Sequence, residues 1–358
     1  MGGGKLVSLP NTIIHHTPWE AQSNPIWPAS SFSLYRNIAS YPFSGKLNQS
    51  QTSQLLQILQ SILTTVPILQ TPTYLPAESL SPQEKEFLSE HFLCQEGWQN
   101  ACKGQAFIVD ASAHFLAVCN VKEHLLLEWM DCKGSWKEAW QFLNQVETAL
   151  GEKIDYAFSP QFGYLTSNPS LCGTALVVHC YLHLPALIFS ETLFDELNAS
   201  AENSVQASSL IGESKDFMGD LVILKNAYTL GVAEESILQT LHAVATQLVL
   251  AEKNIRLLYS KNPPMELKDK ISRAYGLLLH SCQLEAKEAF DALSQIKLGI
   301  DLGWIQGMND AEINELFFRC RRAHLLQSQE KTFFSPRELA EARSVYLHQK
   351  LQKTTLTF

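Results

Sequence analysis

Apolar residues recur at helical spacing in several windows of the chain. In QTSQLLQILQSILTTV (51–66), Leu55, Leu59, Ile62 and Val66 fall on one face and predict a helix. SPQEKEFLSEHFL (81–93) carries a start signal: Ser81 in the capping position, Pro82 in the first turn, and Glu84 completing a capping box. Short β-like runs follow: AFIV (106–109), FLAVC (115–119) and HLLLEW (124–129). WKEAWQFLNQVETALG (136–151) reads as an amphipathic helix closed by Gly151. FGYLT (162–166) and DLVILKN (220–226) read as further strands. EESILQTLHAVATQLVLAEKNIRLLYS (234–260) is a long helix with Ile237, Leu241, Val244 and Leu248 on one face.

Pro263 and Pro264 then break the pattern. Beyond them the periodicity is helical over 267–284, 285–303 and 310–329, with few strand signals. A last helix over 335–351 opens on a second capping box, Ser335, Pro336 and Glu338. The pattern predicts an N-terminal arm over 1–24, a mixed α/β domain over 25–260, and an all-helical domain over 261–358.

Composition narrows the class. Of the 358 residues 46% are hydrophobic and 18% charged, an ordinary globular balance. A net charge of −9 argues against a general nucleic-acid binder. No apolar run reaches the roughly 18–20 residues of a membrane span, and the opening MGGGKLVSLP lacks a signal-peptide core. Eight cysteines without a CxxC pair read as reduced thiols of a cytoplasmic protein. His179, Cys180 and His183 stand close together, but they read as packing rather than as metal ligands, and no metal is expected.

GYLTSNPSLCGTALVVHCYLHLPAL (163–187) resembles the guanidino phosphotransferases, and in particular the bacterial protein-arginine kinases (McsB-type). Gly163, Tyr164, Leu165, Thr166, Pro169, Gly173, Thr174, Leu176 and the closing HLPAL stand in the family's register. SSFSLYRNIASYPF, NVKEHLLLEW, LIGESKDFMGDLVILKNAYTLG and SRAYGLLLHSCQLEAKEAFDALSQIKLGIDLG resemble further family motifs in the same order, over roughly residues 25–350. The resemblance implies an α+β fold: a phosphagen-kinase-like domain, with a curved, mainly antiparallel sheet flanked by helices, and a C-terminal helical domain of the dimerising type. It implies transfer of the ATP γ-phosphoryl group to protein arginine, with Mg. It also implies partners: a zinc-binding kinase-activator protein, Clp-type protease machinery of protein quality control, and a second subunit held through the helical domain.

Phosphoryl transfer asks for positioning and for neutralisation of charge. Arginine supplies bidentate contacts without losing its charge, and a carboxylate orients the acceptor guanidinium. No arginine occurs from Asn37 through Ile255. By the resemblance, phosphate-contacting arginines are replaced by Ser31, Ser33, Leu126, Val177 and Ser208, the catalytic glutamate by Lys122, and the reactive cysteine by Asn168. Arg36, Asn37, His124, Gly173, Thr174 and Glu213 are retained. Of these, Glu213 is the remaining candidate to meet an arginine side chain, His124 reads as structural, and Arg36 is open between a turn anchor and a phosphate contact. Lys122 reads first as a solvated substitution and only second as a phosphate partner, and Lys215 and Lys225 are open in the same way. Some family members read phosphoarginine through an RDxxRA motif. Here RELAEA keeps Arg337, puts Glu341 at the second arginine, and leaves Arg343 as a shifted substitute on another azimuth.

Losing one preorganised charge-stabilising contact costs on the order of 10²–10³ in rate. The expectation is therefore a catalytically inactive family member with a regulatory or scaffolding role. The alternatives are an active kinase with a rebuilt or partner-completed site and a small-ligand sensor in the vacated pocket.

Overall fold

The computed structural model describes residues 9–16, 24–94, 97–200, 204–210, 216–329 and 335–358. Its main sheet is built from β1 (Ala29–Arg36), β2 (Thr73–Pro76), β3 (Ala106–Val109), β4 (Phe115–Cys119) and β5 (Leu125–Asp131), followed after a small hairpin, β6 (Phe158–Ser159) and β7 (Gly163–Tyr164), by β8 (Leu176–His183), β9 (Val205–Ser208) and β10 (Leu221–Asn226). The hydrogen-bonded order is β2-β3-β4-β5-β1-β8-β10-β9. β2 to β5 form an antiparallel meander, and β1 lies antiparallel to β5 with Ser31, Ser33 and Tyr35 opposite Met130, Glu128 and Leu126.

The helices are α1 (Asn11–His15), α2 (Gln49–Leu63), α3 (Pro82–His91), α4 (Trp136–Gly151), α5 (Pro185–Phe189), α6 (Leu193–Ser200), α7 (Glu234–Lys261), α8 (Met265–His280), α9 (Ala286–Asp301), α10 (Asp310–Arg319), α11 (Arg322–Ser328) and α12 (Pro336–Leu351). Both expected capping boxes form, at Ser81/Glu84 and Ser335/Glu338. On α7 the four residues expected to share a face, Ile237, Leu241, Val244 and Leu248, are all buried.

Four local expectations differ from the structure. Gly151 is the last residue of α4 rather than the glycine beyond it, and Glu152 caps in a helical conformation. FGYLT contributes only Gly163 and Tyr164 as strand. The helical run over 310–329 breaks into α10 and α11, because Arg321 is extended at φ −71, ψ 158. Within the helical region Ile305–Gln306 (β11) pairs antiparallel with Thr355–Leu356 (β12).

By compactness the chain falls into two units, one drawn from 1–18, 30–179 and 225–240, the other from 19–29, 180–224 and 241–358. In the first, strand β1 alternates Ser31 and Ser33 with Phe32 and Leu34, the period-2 pattern of a half-buried strand. The structure uses the alternation: Phe32 packs edge-on against Trp136, and Trp136 Nε1 donates to Ser30 Oγ at 3.1 Å, while Ser31 and Ser33 turn to the other face.

The second unit is organised around a buried ion cluster. Glu252 on α7 is fully buried and accepts from the amides of Ala186 (3.1 Å) and Leu187 (2.8 Å) at the start of α5, and from Arg256 Nε (2.7 Å). Arg256 also pairs with Asp301 and donates to the His183 carbonyl at 3.0 Å. His183 Nε2 lies 2.9 Å from Ser294 Oγ, which donates to Asp220. Every charge in the cluster has a partner, which buried ions require.

Glu252→Ala leaves Arg256 and two amides without their shared acceptor. Breaking a buried pair in this way costs about 3–5 kcal/mol. Urea unfolding is expected to show a loss of that size with unchanged secondary structure before the transition, and a loss under about 1 kcal/mol would contradict the cluster's role.

Candidate functional site

The glycines of 163–187 set a loop framework in the first unit. Gly173 has φ +111, and a Cβ there would lie 2.1 Å from the Thr229 carbonyl oxygen. Gly163 has φ +70, and a Cβ there would lie 2.5 Å from the Gly173 carbonyl oxygen. These contacts require glycine. Hydrogen bonds then lock the framework. Tyr164 N donates to Gly173 O (2.8 Å) and Thr174 N to Thr229 O (2.9 Å). Thr229 Oγ1 donates to the carbonyls of Cys172 (2.8 Å) and Ser170 (3.1 Å).

Asn37 and His124 form a second tie. The Asn37 Oδ1 accepts from the His124 amide at 2.9 Å, and its Nδ2 donates to Glu123 at 2.5 Å and to the Leu165 carbonyl at 3.0 Å. His124 Nδ1 accepts from the Ile38 amide at 2.9 Å, so the ring proton sits on Nε2, which donates to the Pro42 carbonyl at 2.9 Å. Burial lowers its pKa from the ordinary 6.5, although the Pro42 bond and Glu123 act the other way. Glu123 completes the tie by accepting from the amide and hydroxyl of Ser167. The adjacent site position, Lys122, is exposed, and its neighbour Glu123 is the buried carboxylate. Sequence reasoning passed over Glu123, although it stands directly before a retained histidine.

Arg36 is only 3% exposed. Its Nε donates to Glu147 at 2.9 Å, its Nη1 donates to the carbonyls of Tyr35 (2.9 Å) and Thr174 (3.1 Å), and its guanidinium lies 3.5 Å from the centre of the Tyr164 ring. Stacking on an aromatic face together with a carboxylate bond is a favourable environment for a buried guanidinium. These bonds tie β1 to α4 and to the loop before β8.

Ser31 and Ser33 are buried side by side on one face of β1; Ser31 Oγ lies 3.3 Å from His179 Nδ1. Burial first, and the Lys225 ammonium second, lower the His179 pKa to about 4. The register places Glu128 opposite Ser33 and Leu126 opposite Tyr35; Cys94 Sγ donates to Glu128 at 3.4 Å. Leu126 and Val177 are buried. Asn168 is exposed and caps the following turn, accepting from Ser170 N at 3.2 Å and Ser170 Oγ at 2.9 Å. Ser208 is half-buried on β9. Glu213 and Lys215 lie outside the described residues.

In the second unit Arg337 is exposed and paired with Glu341 at 3.0 Å, an acid that also accepts from Gln283. Arg343 is buried, donating to the carbonyls of Cys320 (2.9 Å) and Leu284 (2.6 Å). It therefore does not stand in as an outward-facing phosphoarginine ligand. Among the described residues no group of three or more His, Cys, Asp and Glu is placed to hold a metal ion.

Comparison with known proteins places these features. The model of the ATP:guanido phosphotransferase C-terminal catalytic domain matches residues 54–255, and that of the protein-arginine kinase McsB C-terminal domain matches 264–357. The chain is 38% identical to a protein-arginine kinase of Chlamydia pneumoniae over 90% of its length and 91% of the relative's. It is 28% identical to one of Bacillus cereus, over 94% and 96%. Among solved structures, lombricine kinase aligns with a TM-score of 0.57 at 18% identity, covering 66% of this chain and 69% of the other. The duplicated taurocyamine kinase of Schistosoma mansoni with transition-state analogue components aligns at 0.59 and 19%, covering 77% and 41%.

Gly173→Ala is expected to destabilise the first unit by about 2–4 kcal/mol, since the new methyl meets backbone and the conformation is left-handed. A chemical melt unchanged from wild type would refute the close approach. Acid supplies a second test. Burial depresses the pKa of His124 and of His183 below 6.5. Below pH 6.5 the unfolded chain therefore takes protons that the fold refuses. Their contribution to stability is complete above pH 6.5 and is lost as the pH falls through the interval below it. Unfolding free energies at pH 7.5 and pH 5 are expected to show that loss, and His124→Gln is expected to lessen it.

Proposed function

The chain belongs to the ATP:guanido phosphotransferase family, on its protein-arginine kinase branch, and we propose that it has kept the fold and docking surfaces of that family without its phosphotransfer. The observation that carries this reading is the position of its cations. Between Arg36 and Arg256 the sequence has no arginine, and the guanidinium of Arg36 is held by Glu147, two carbonyls and the Tyr164 ring.

The family is ATP-dependent, and a triphosphate needs fixed positive charge where its oxygens lie. The residues present do not fit that group. Ser31 and Ser33 offer hydroxyls, Leu126 and Val177 offer hydrocarbon, and the neighbouring Glu128 is a carboxylate. Lys122 stands at the position of the catalytic glutamate, so proton removal from an acceptor guanidinium has no base there. Each missing contact is worth on the order of 10²–10³ in rate, and such losses do not simply add.

The role we propose is regulatory or scaffolding, in protein quality control. The partners would be a zinc-binding kinase activator, Clp-type protease machinery, and a second subunit bound through the helical region. The setting is the cytoplasm. Among the described residues no helix is long and apolar enough to cross a membrane.

Nucleotide-dependent thermal stability tests the reading. A ligand at a hundred times its Kd stabilises a fold by about 2.7 kcal/mol, which for a chain of this size is a shift of about 2–4 °C. With millimolar MgATP the expected shift is within error of zero. A dose-dependent rise of several degrees would reject an empty nucleotide site.

A further inference from the structure

The two loops joined through Gly173 carry an unusual amount of exposed apolar surface. Phe158 and Phe162 stand on the β6–β7 hairpin, and Tyr228, Leu230 and Val232 on the segment before α7; Phe158 and Tyr228 are each 58% exposed. Apart from Phe43, every exposed large apolar side chain among the described residues of the first unit lies on these two loops. The hydrogen bonds of Tyr164, Gly173, Thr174 and Thr229 make them one platform. Gly163 touches the Gly173 backbone, and Gly173 touches Thr229 and Leu230. Beneath it the Tyr164 ring is held between Phe158, at 5.5 Å, and the Arg36 guanidinium.

An exposed aromatic cluster on a hydrogen-bonded base loses little entropy on binding, which is the property of a recognition surface. Its charge is one-sided. No lysine or arginine occurs in residues 154–214, nor in 226–252. Glu234 and Glu235 open α7 directly after the second loop, and Glu234 is near enough to Tyr164 to help raise its pKa, after the larger effects of burial and Glu147. The one cation of the platform, Arg36, is buried below it and already paired.

We propose that this platform is a docking surface for a basic protein segment, one that places apolar side chains on Phe158, Phe162 and Leu230 and its cations beside Glu234 and Glu235. Nucleotide plays no part, so the surface stands apart from the loss of phosphotransfer.

The probe is a short fluorescein-labelled peptide in which lysines flank two phenylalanines, with a control in which every lysine is glutamate. Anisotropy is measured on the full chain, beside Phe162→Ser/Leu230→Ser and Glu234→Lys/Glu235→Lys variants. Phe162 and Leu230 lie in loops, so that variant is expected to melt as wild type; lysines in the first turn of α7 oppose its dipole, so the charge variant is measured well below its own melting temperature. The expected result is saturable binding of the basic peptide and binding of the control weaker by about ten-fold or more. Both variants are expected to lose about ten-fold or more, and the charge variant to lose most of the salt dependence as well. Equal binding of the two peptides, no saturable binding, or variants that bind like wild type would overturn the proposal. So would a wild-type dimer that becomes monomeric on Phe162→Ser/Leu230→Ser, since the occupant would then be a second copy of the chain.

Discussion

The guanidinium of Arg36 is bound from within the protein through Nε and Nη1. Glu147, the carbonyls of Tyr35 and Thr174, and the face of Tyr164 surround it. That one group ties β1 to α4 and to the loop that follows the β6–β7 hairpin, so much of the site's shape rests on it. A buried charge with this many partners is costly to remove, because each partner would be left buried and unmatched. The same bonds commit its Nε and Nη1 to the fold. A retained arginine thus marks a retained structure, which is a different thing from a retained activity.

A consistent set of shape-holding residues surrounds that anchor. Glu123 is held by Asn37 and Ser167, His124 is neutral between Ile38 and Pro42, and Gly163 and Gly173 allow backbones to touch. These residues define the shape of loops. The positions to which the family resemblance assigns phosphate contacts, Ser31, Ser33, Leu126, Val177 and Ser208, are hydroxyl or hydrocarbon. Shape and charge have separated: the framework needs glycines, an amide and a buried acid, and none of these supplies positive potential. Hydroxyls and a neutral imidazole can satisfy one another, as Ser31 and His179 do, without a counter-ion.

Much of the fold was legible in the chain because its signals are local. The capping boxes at Ser81/Glu84 and Ser335/Glu338 and the buried stripe of α7 depend on neighbours a few residues away. What stayed hidden depends on distance in the chain. Glu147 meets Arg36 across 111 positions, and Glu123 meets Asn37 across 86. Strand β1 was legible as a short alternation of Ser31 and Ser33 with Phe32 and Leu34, but the partners that hold its serines, Trp136 and His179, are remote in the chain. Arg343 looked like a spare phosphoarginine ligand by sequence offset alone; its burial against two carbonyls is visible only in three dimensions.

The central claim is that a guanidino-phosphotransferase fold persists here without phosphotransfer. Mass spectrometry for phosphoarginine tests it most directly, after incubation of the full chain with MgATP and an arginine-rich protein, alone and with its cognate activator. The account predicts no phosphoarginine above a no-enzyme control in either case. Time-dependent phosphoarginine that scales with the amount of this protein would contradict it.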